Sequence, residues 1–368
     1  MTPMLESSTP DSLGYSMPAE WEPHSDTWLA WPHNLETWNE NDLHEIEKVF
    51  IEIIRNLIDG ERISILISDE VYKYKISTML HREKVSTDSV RFHIIPTDDA
   101  WARDFGPNFL ARETPIGRQI AVNRWRFNAW GEKYPWEKDN QAQREIVREV
   151  KLPWFDPGIV LEGGAIDVNG KGVCMTTTSC LLNPNRNGDI SQKKIEGYLK
   201  DYIGAHKVIW INAGIEGDDT DGHIDNLARF INPTTIAYVS EEDKNDDNYS
   251  RLKSIPETLK NATDQDGKPF SLVALPMPVP IRHGATRLPA SYANFYIGNR
   301  SVLVPSFHQK KDETAINILK PYFPRKKIIP IDSRILVQGQ GGIHCITQQQ
   351  PAHSPSEFHP FTPEEERA

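Results

Sequence analysis

Residues 165–211, AIDVNGKGVCMTTTSCLLNPNRNGDISQKKIEGYLKDYIGAHKVIWI, read as one repeating unit of structure. Two apolar runs flank the polar turn Asn169–Gly172, which is a hairpin signal. The stretch from 189 then carries Ile195, Tyr198, Leu199 and Tyr202 on one helical stripe. HKVIWI, from 206, closes the unit as a third strand. The same hairpin pattern returns in FLARETPIGRQIAVNRW from 109, ARFINPTTIAYVS from 228 and NFYIGNRSVLVPS from 294. The spacing is roughly 60 residues, a period that marks a repeat architecture. DETAINILKPYF, from 312, supplies a helix with Asp312 expected as its N-cap, followed by KKIIPID. Nearer the start, DTWLAWP precedes a long amphipathic helix striped by Leu43, Ile46, Val49, Phe50, Ile53 and Ile54, then ISILIS. The hairpin of that first unit is not visible. About five strand–strand–helix–strand units fit the chain, so the fold class is α/β. Periodicity alone leaves open whether they stack as a solenoid or close radially.

Composition narrows the function. The 368 residues are 38% hydrophobic and 25% charged, as in a soluble globular protein. Ten tryptophans and 27 prolines suggest many turns and a pocketed interior. A net charge of −11 argues against nucleic acid, whose phosphates require Lys and Arg, and suits a cationic partner. Three cysteines without framework spacing imply free thiols in a reducing compartment. Cys174 and Cys180, separated by five residues, lack C-x2-C zinc spacing, so no metal is expected. No signal peptide is expected, and no apolar stretch is long enough for a membrane span. The expectation is a cytoplasmic protein with no membrane association: a flexible N-terminus over 1–16, one catalytic domain over 17–352, and a polar tail over 353–368.

Four motifs carry candidate chemistry. DDAWARDFGP, from 98, sets Trp101 and Asp104 together, an aromatic wall beside an anchoring carboxylate. A turn with an Arg103–Asp104 surface pair explains it equally well. LEGGAID places Glu162 before Gly163 and Gly164, where bare backbone permits close approach or simply a bulge. In GDDTDGHIDN, from 217, a strand would point His223 and Asp225 to one face, as proton transfer beside a cation requires. Glu216, Asp218, Asp219, Asp221 and Asp225 crowd this loop and would repel one another without a cation, unless solvated. GQGGIHCITQQQ, 339–350, holds Cys345 behind a glycine-rich lead-in that clears space around a reactive atom. If that stretch is extended, His344 faces away from Cys345, and His223 is the available base.

WARD, LEGG, DDTDGHIDN and GGIHCITQQQP together resemble the agmatine deiminases, within the wider Porphyromonas-type peptidyl-arginine deiminase family. The likeness runs from MPAEWEPHSDTWLAWP, near residue 17, to the end of the cysteine motif. One departure is GQGGIHC, where that family often reads GGGNIHC, which puts Gln340 and Gly342 beside the thiol. The resemblance implies five ββαβ units around a pseudo-fivefold axis, a five-bladed α/β propeller of the pentein type. It implies Cys345 as nucleophile, forming a thiouronium intermediate, and His223 as acid and base. Glu162 would orient the histidine, Asp104 and Asp225 would grip a guanidinium, Asp219 would receive a distal amine, and Trp101 would wall the methylenes. No cofactor is implied. The small cationic guanidino substrate would be agmatine, hydrolysed to N-carbamoylputrescine and ammonia toward putrescine. Deimination of peptidyl-arginine or free arginine, amidine transfer to an amine acceptor, and silent polyamine binding are the alternatives. A homo-oligomer is left open, as is the lid, for which RWRFNAWGEKYPW, from 124, is a candidate.

Overall fold

The computed structural model describes residues 8–354 and shows five small sheets built to one plan. The first contains β1 (His24–Ala30), β2 (Arg62–Ile67) and β3 (Val90–Ile94), and the second β4 (Asn108–Thr114), β5 (Gly117–Asn123) and β6 (Trp154–Phe155). The third has β7 (Asp167–Val168), β8 (Val173–Thr177) and β9 (Lys207–Ile211), and the fourth β10 (Ala228–Asn232), β11 (Thr235–Ser240) and β12 (Ser271–Pro276). After a short hairpin, β13 (Arg282–His283) and β14 (Thr286–Arg287), the fifth contains β15 (Tyr296–Ile297), β16 (Ser301–Ser306) and β17 (Lys327–Asp332). In sheets two to five the first two strands are antiparallel. The chain then crosses over and returns parallel to the second strand. These are the hairpins and crossovers expected from the repeat.

The hairpin missing from the first unit has a specific cause. Its first strand, at the edge of the sheet, is β18 (Gln348–Pro351), at the far end of the chain, paired antiparallel to β1 with Trp28 opposite Gln348 and His24 opposite Pro351. No local turn joins the two strands, so no local pattern could reveal them.

The helix Glu40–Leu57 buries Ile46, Val49, Phe50, Ile53, Ile54 and Leu57, and Asn39 caps it by accepting from the Asn41 and Asp42 amides. Helix Gln192–Ile203 is capped by Ser191 and buries Ile195 and Leu199. Asp312 is not an N-cap. The helix begins at Lys310, and Asp312 reaches back to accept from the amide of Gln309 at 3.1 Å. Three apolar clusters form the core between the sheets and these helices. Of the expected flexible N-terminus, Tyr15 is buried and Ser16 bridges Ala111, while residues 1–7 lie outside the described residues. Of the expected polar tail, 355–368 lie outside them too. No helix among the described residues is long and apolar enough to cross a membrane.

The motifs form short single turns immediately before first strands: Ala102–Phe105, Gly163–Ala165, Ile224–Asn226 and His344–Ile346. The turns at 102–105, 163–165 and 224–226 touch in succession, and the turn at 344–346 touches the first. This corrects two expectations. His223 and Asp225 are not on a strand, and Cys345 is not in an extended stretch. Tight turns bring the side chains inward just before each chain enters its sheet, with the Leu227 and Thr347 amides satisfied on Ile224 and His344 carbonyls.

Candidate active site

A cavity of about 550 Å³ opens beside those turns, reached by Asp104 from one and Cys345 from another, while Glu162, His223 and Asp225 lie behind its lining. Trp101, Trp130 and Tyr134 form aromatic walls, and Asp104, Asp219, Gln340 and Cys345 also line it. Trp101 is held in place by Trp38, whose ring centroid lies 5.4 Å away. Gly341 makes room for it, because a Cβ there would fall inside the Trp101 indole. Gly342 likewise leaves space for Asn294. Gln340 adopts a left-handed backbone, φ 75°, as it turns the chain toward the thiol.

Cys345 is 5% exposed, and its Sγ lies 3.7 Å from Asp225 Oδ2 and 3.3 Å from Asn294 Nδ2. Burial pushes its thiol well above the ordinary range, and the charges of Asp225 and Asp104 add to that. His223 is fully buried with Nδ1 3.7 Å from Asp104 Oδ1, and neither ring nitrogen has a hydrogen-bond partner. Burial works against charge on His223, but Asp104, Cys180 and Glu162 outweigh it and carry its pKa well above the usual histidine value. Burial raises Asp104 to about 6, helped by Asp225 and Glu162 and opposed by His223.

The paired glycines have a clear role. Gly164 donates its amide to Asp104 Oδ1 at 2.9 Å. A Cβ there would stand 2.6 Å from His223 Nδ1, 2.7 Å from Asp104 Oδ1 and 3.1 Å from Asp225 Oδ2. Side chains from two turns therefore converge around the bare Cα of a third.

Glu162 is fully buried and accepts from Arg186 Nε at 2.7 Å. It makes no hydrogen bond to His223, although Glu162, Cys180 and His223 bring their donor atoms within 4.8 Å of one another. That trio is the one group among the described residues able to hold a metal by proximity. The guanidinium of Arg186, bonded to Glu162, already supplies the positive charge there. Arg186 also donates to the Thr220 carbonyl at 2.8 Å and pairs with Asp221, so it ties the Glu162 turn to the acidic loop. Three of the five crowded carboxylates of that loop are partnered from outside it, Asp221 by Arg186 and Lys133, Glu216 by Arg251 and Asp219 by the Tyr134 hydroxyl, whereas Asp218 Oδ2 and Asp225 Oδ1 are buried without a partner.

Several residues at the site had not been singled out from sequence. Arg103 is buried rather than paired on the surface with Asp104, donating to Gln349 and Glu20. Trp130 lies in the stretch expected as a lid. It is buried and donates Nε1 to Asp104 Oδ2 at 2.9 Å. Ala129, Trp130 and Glu132 all have positive φ, a strained wall of the kind found at functional sites. Asn294 precedes β15 as Asp225 precedes β10, so the repeat itself was the signal that could have found it.

Repeated units whose entry turns converge on a thiol, a histidine and paired carboxylates define a repeat-built α/β protein with an acidic, aromatic-walled cavity. The family model of Porphyromonas-type peptidyl-arginine deiminases matches residues 16–351. Over 94% of its length the chain is 36% identical to an agmatine deiminase of Medicago truncatula, covering 98% of that protein. It is similar to the structure of the Enterococcus faecalis agmatine deiminase, with TM-score 0.88, 29% identity, and coverage of 96% of this chain and 100% of that one. It is also similar to a cysteine-to-serine variant of the C. jejuni agmatine deiminase with substrate bound, with TM-score 0.82, 33% identity, and coverage of 92% and 97%. The chain belongs to the Porphyromonas-type peptidyl-arginine deiminase family.

Proposed function

We propose that the protein is an agmatine deiminase, hydrolysing agmatine to N-carbamoylputrescine and ammonia, and that its five units close as a five-bladed α/β propeller around the cavity. The observation that carries the reaction is Cys345 beside the carboxylate of Asp225 at the foot of an aromatic-walled acidic cavity. A guanidinium keeps its charge near neutral pH and presents N–H forks that carboxylates accept. Asp104 and Asp225 are the acceptors at hand, and Asp225 Oδ1 has no other partner.

In the free enzyme the thiol is held neutral and His223 is charged, the arrangement that their pKa directions describe. Entry of the cation offsets the Asp104 and Asp225 charges and lowers the thiol pKa, so substrate activates its own nucleophile. The thiol proton passes to solvent as Cys345 Sγ bonds to the guanidinium carbon, and His223 gives a proton to the nitrogen that leaves as ammonia. The resulting thiouronium is attacked by water as His223 takes one proton, and the C–S bond then breaks as the new hydroxyl passes its proton to sulfur, giving the ureido carbonyl and the neutral thiol. Glu162 acts on His223 through charge rather than a direct hydrogen bond. Substrate bound to the cysteine-to-serine variant of the C. jejuni relative fits a reaction whose first bond is made by a thiol.

At the other end of the cavity, Trp101 covers the methylenes and Asp219 faces the distal amine. Free arginine would bring a carboxylate toward Asp219, and peptidyl-arginine would bring no charge for it to pair. Ammonia release from agmatine, arginine and a peptidyl-arginine tests the reading, with agmatine expected to be fastest by far. Cys345→Ser should abolish turnover and leave agmatine binding largely intact. Turnover by that variant would refute the thiol mechanism, and a preference for arginine would refute the role of Asp219.

A further inference from the structure

An extended chain would turn His344, next to the thiol, away from it. The turn at 344–346 places it elsewhere. Its Nδ1 lies 2.8 Å from Asp225 Oδ2 and its Nε2 lies 2.8 Å from Glu20 Oε2, and all three side chains are buried. Glu20 is fixed in turn by Arg229 Nη2 at 2.9 Å, Arg103 Nη2 at 3.3 Å and the Ile297 amide at 2.8 Å. His344 is anchored too, since its own amide donates to Asn294 Oδ1 at 2.9 Å. A buried chain therefore runs from Asp225 through His344 to Glu20 and two arginines. Asp225 is left with one oxygen occupied by His344 and the other, Oδ1, without a partner although fully buried.

We propose that His344 is a positioning residue: by donating to both Asp225 and Glu20 it clamps one carboxylate oxygen of Asp225 and presents the other to the substrate guanidinium. This rests on the reading of Asp225 as a guanidinium ligand. An ionised carboxylate only accepts, so a ring seated between two of them donates from both nitrogens and carries a positive charge. Glu20 and Asp225 are both held below the ordinary carboxylate range despite burial, with Arg229 and His344 acting on each. The clamp does three things. It fixes the carboxylate plane, it prevents Asp225 from taking up a proton, and it leaves the unpaired oxygen desolvated until a cation arrives. The groups facing this chain are Cys345, Asp104 and His223 on the cavity side and Arg103, Arg229 and Asp167 behind it.

The test uses full-length protein with 15N-labelled histidine. The His344 resonances, assigned by their loss in His344→Asn, should show both nitrogens protonated at pH 7. A neutral-tautomer pattern there overturns the clamp. Kinetics separate positioning from mere structure. The amide of His344→Asn falls near the lost Nδ1, whereas that of His344→Gln falls near Nε2. His344→Gln should raise the KM for agmatine about ten- to a hundredfold, as loss of a charged hydrogen bond implies, and shift the acid limb of kcat/KM upward. His344→Asn should stay within a few-fold of native in KM. If both variants lose kcat and urea midpoint in parallel, with no split in KM or pH profile, the residue is structural and the proposal fails. If native protein does not turn over agmatine, the substrate assignment fails, and the histidine spectrum still decides the clamp.

Discussion

Asp225→Asn should move two properties of the site in opposite directions. Asp225 Oδ2 stands 3.7 Å from Cys345 Sγ, and its charge is among the causes that hold the thiol neutral. At that separation a unit charge opposes the thiolate by about 4 kcal/mol at an effective dielectric of 20, and by about 1 kcal/mol at that of water. Removing it should lower the thiol pKa. Asn294 Nδ2, 3.3 Å from the sulfur, remains to receive the thiolate. Iodoacetamide should therefore alkylate Cys345 in the variant at pH 7 at least about tenfold faster than in native protein. Mass spectrometry distinguishes this from reaction at Cys174 and Cys180, which are both fully buried. Turnover of agmatine should instead fall, by about a hundredfold or more, because the guanidinium loses an ionic partner whose hydrogen bonds are charge-assisted. A more reactive thiol in a less active enzyme is the signature. If alkylation were unchanged or slower, Asp225 would not govern the thiol, and activation by substrate charge would be wrong.

Three further outcomes follow from the same geometry. Asp104, raised to about 6, is ionised above that pH and protonated below it, so kcat/KM for agmatine should fall with a one-proton slope as pH drops through about 6. Gly341→Ala puts a methyl into the Trp101 indole, and because the wall is close-packed against Trp38 the ring must shift into the cavity. KM should rise about three- to tenfold with a smaller effect on kcat, read by steady-state kinetics. Arg229→Met leaves buried Glu20 and Asp167 without their shared cation, which should cost about 3–5 kcal/mol in urea unfolding.

The repeat was legible because each unit is local. In units two to five the hairpin, helix and returning strand lie within one stretch of chain, so alternating apolar runs and a helical stripe are enough to see them. The first unit was not legible, since β1 takes its antiparallel partner from β18 more than 300 residues away. The same distinction divides the site. Cys345, His223, Asp225, Asp104, Glu162, Trp101 and Asp219 stood out because their residue types sit in conspicuous motifs. Asn294, Glu20, Arg186 and Trp130 did not, because each matters only through a partner remote in sequence: Cys345, His344, Glu162 and Asp104 respectively. His344 is the instructive case. Strand alternation turned it away from the chemistry, whereas a single tight turn gives it direct contact with Asp225.

These long-range partnerships concentrate where the two ends of the chain meet. Cys345 lies three residues before β18, and Glu20 lies four residues before β1. The pairing of β18 with β1 therefore brings the thiol turn and Glu20 to the same place. Gln349, within β18, accepts from Arg103 at 2.7 Å, and Gln348 donates to the Pro107 carbonyl at 3.1 Å, which ties the closing strand to the turn that bears Asp104. Bringing such distant segments together has a loop-closure cost that grows only slowly with length, so one short strand suffices if its pairing is reinforced. The reinforcement is polar: Trp28 Nε1 to Gln350 Oε1 at 2.9 Å, Arg103 to Gln349, and Glu20 to His344. The glutamines after the cysteine are thus part of what sets the nucleophile. Their side chains hold the closing strand against the acidic turns, and a thiol displaced by an ångström from the guanidinium carbon would lose most of the advantage of proximity.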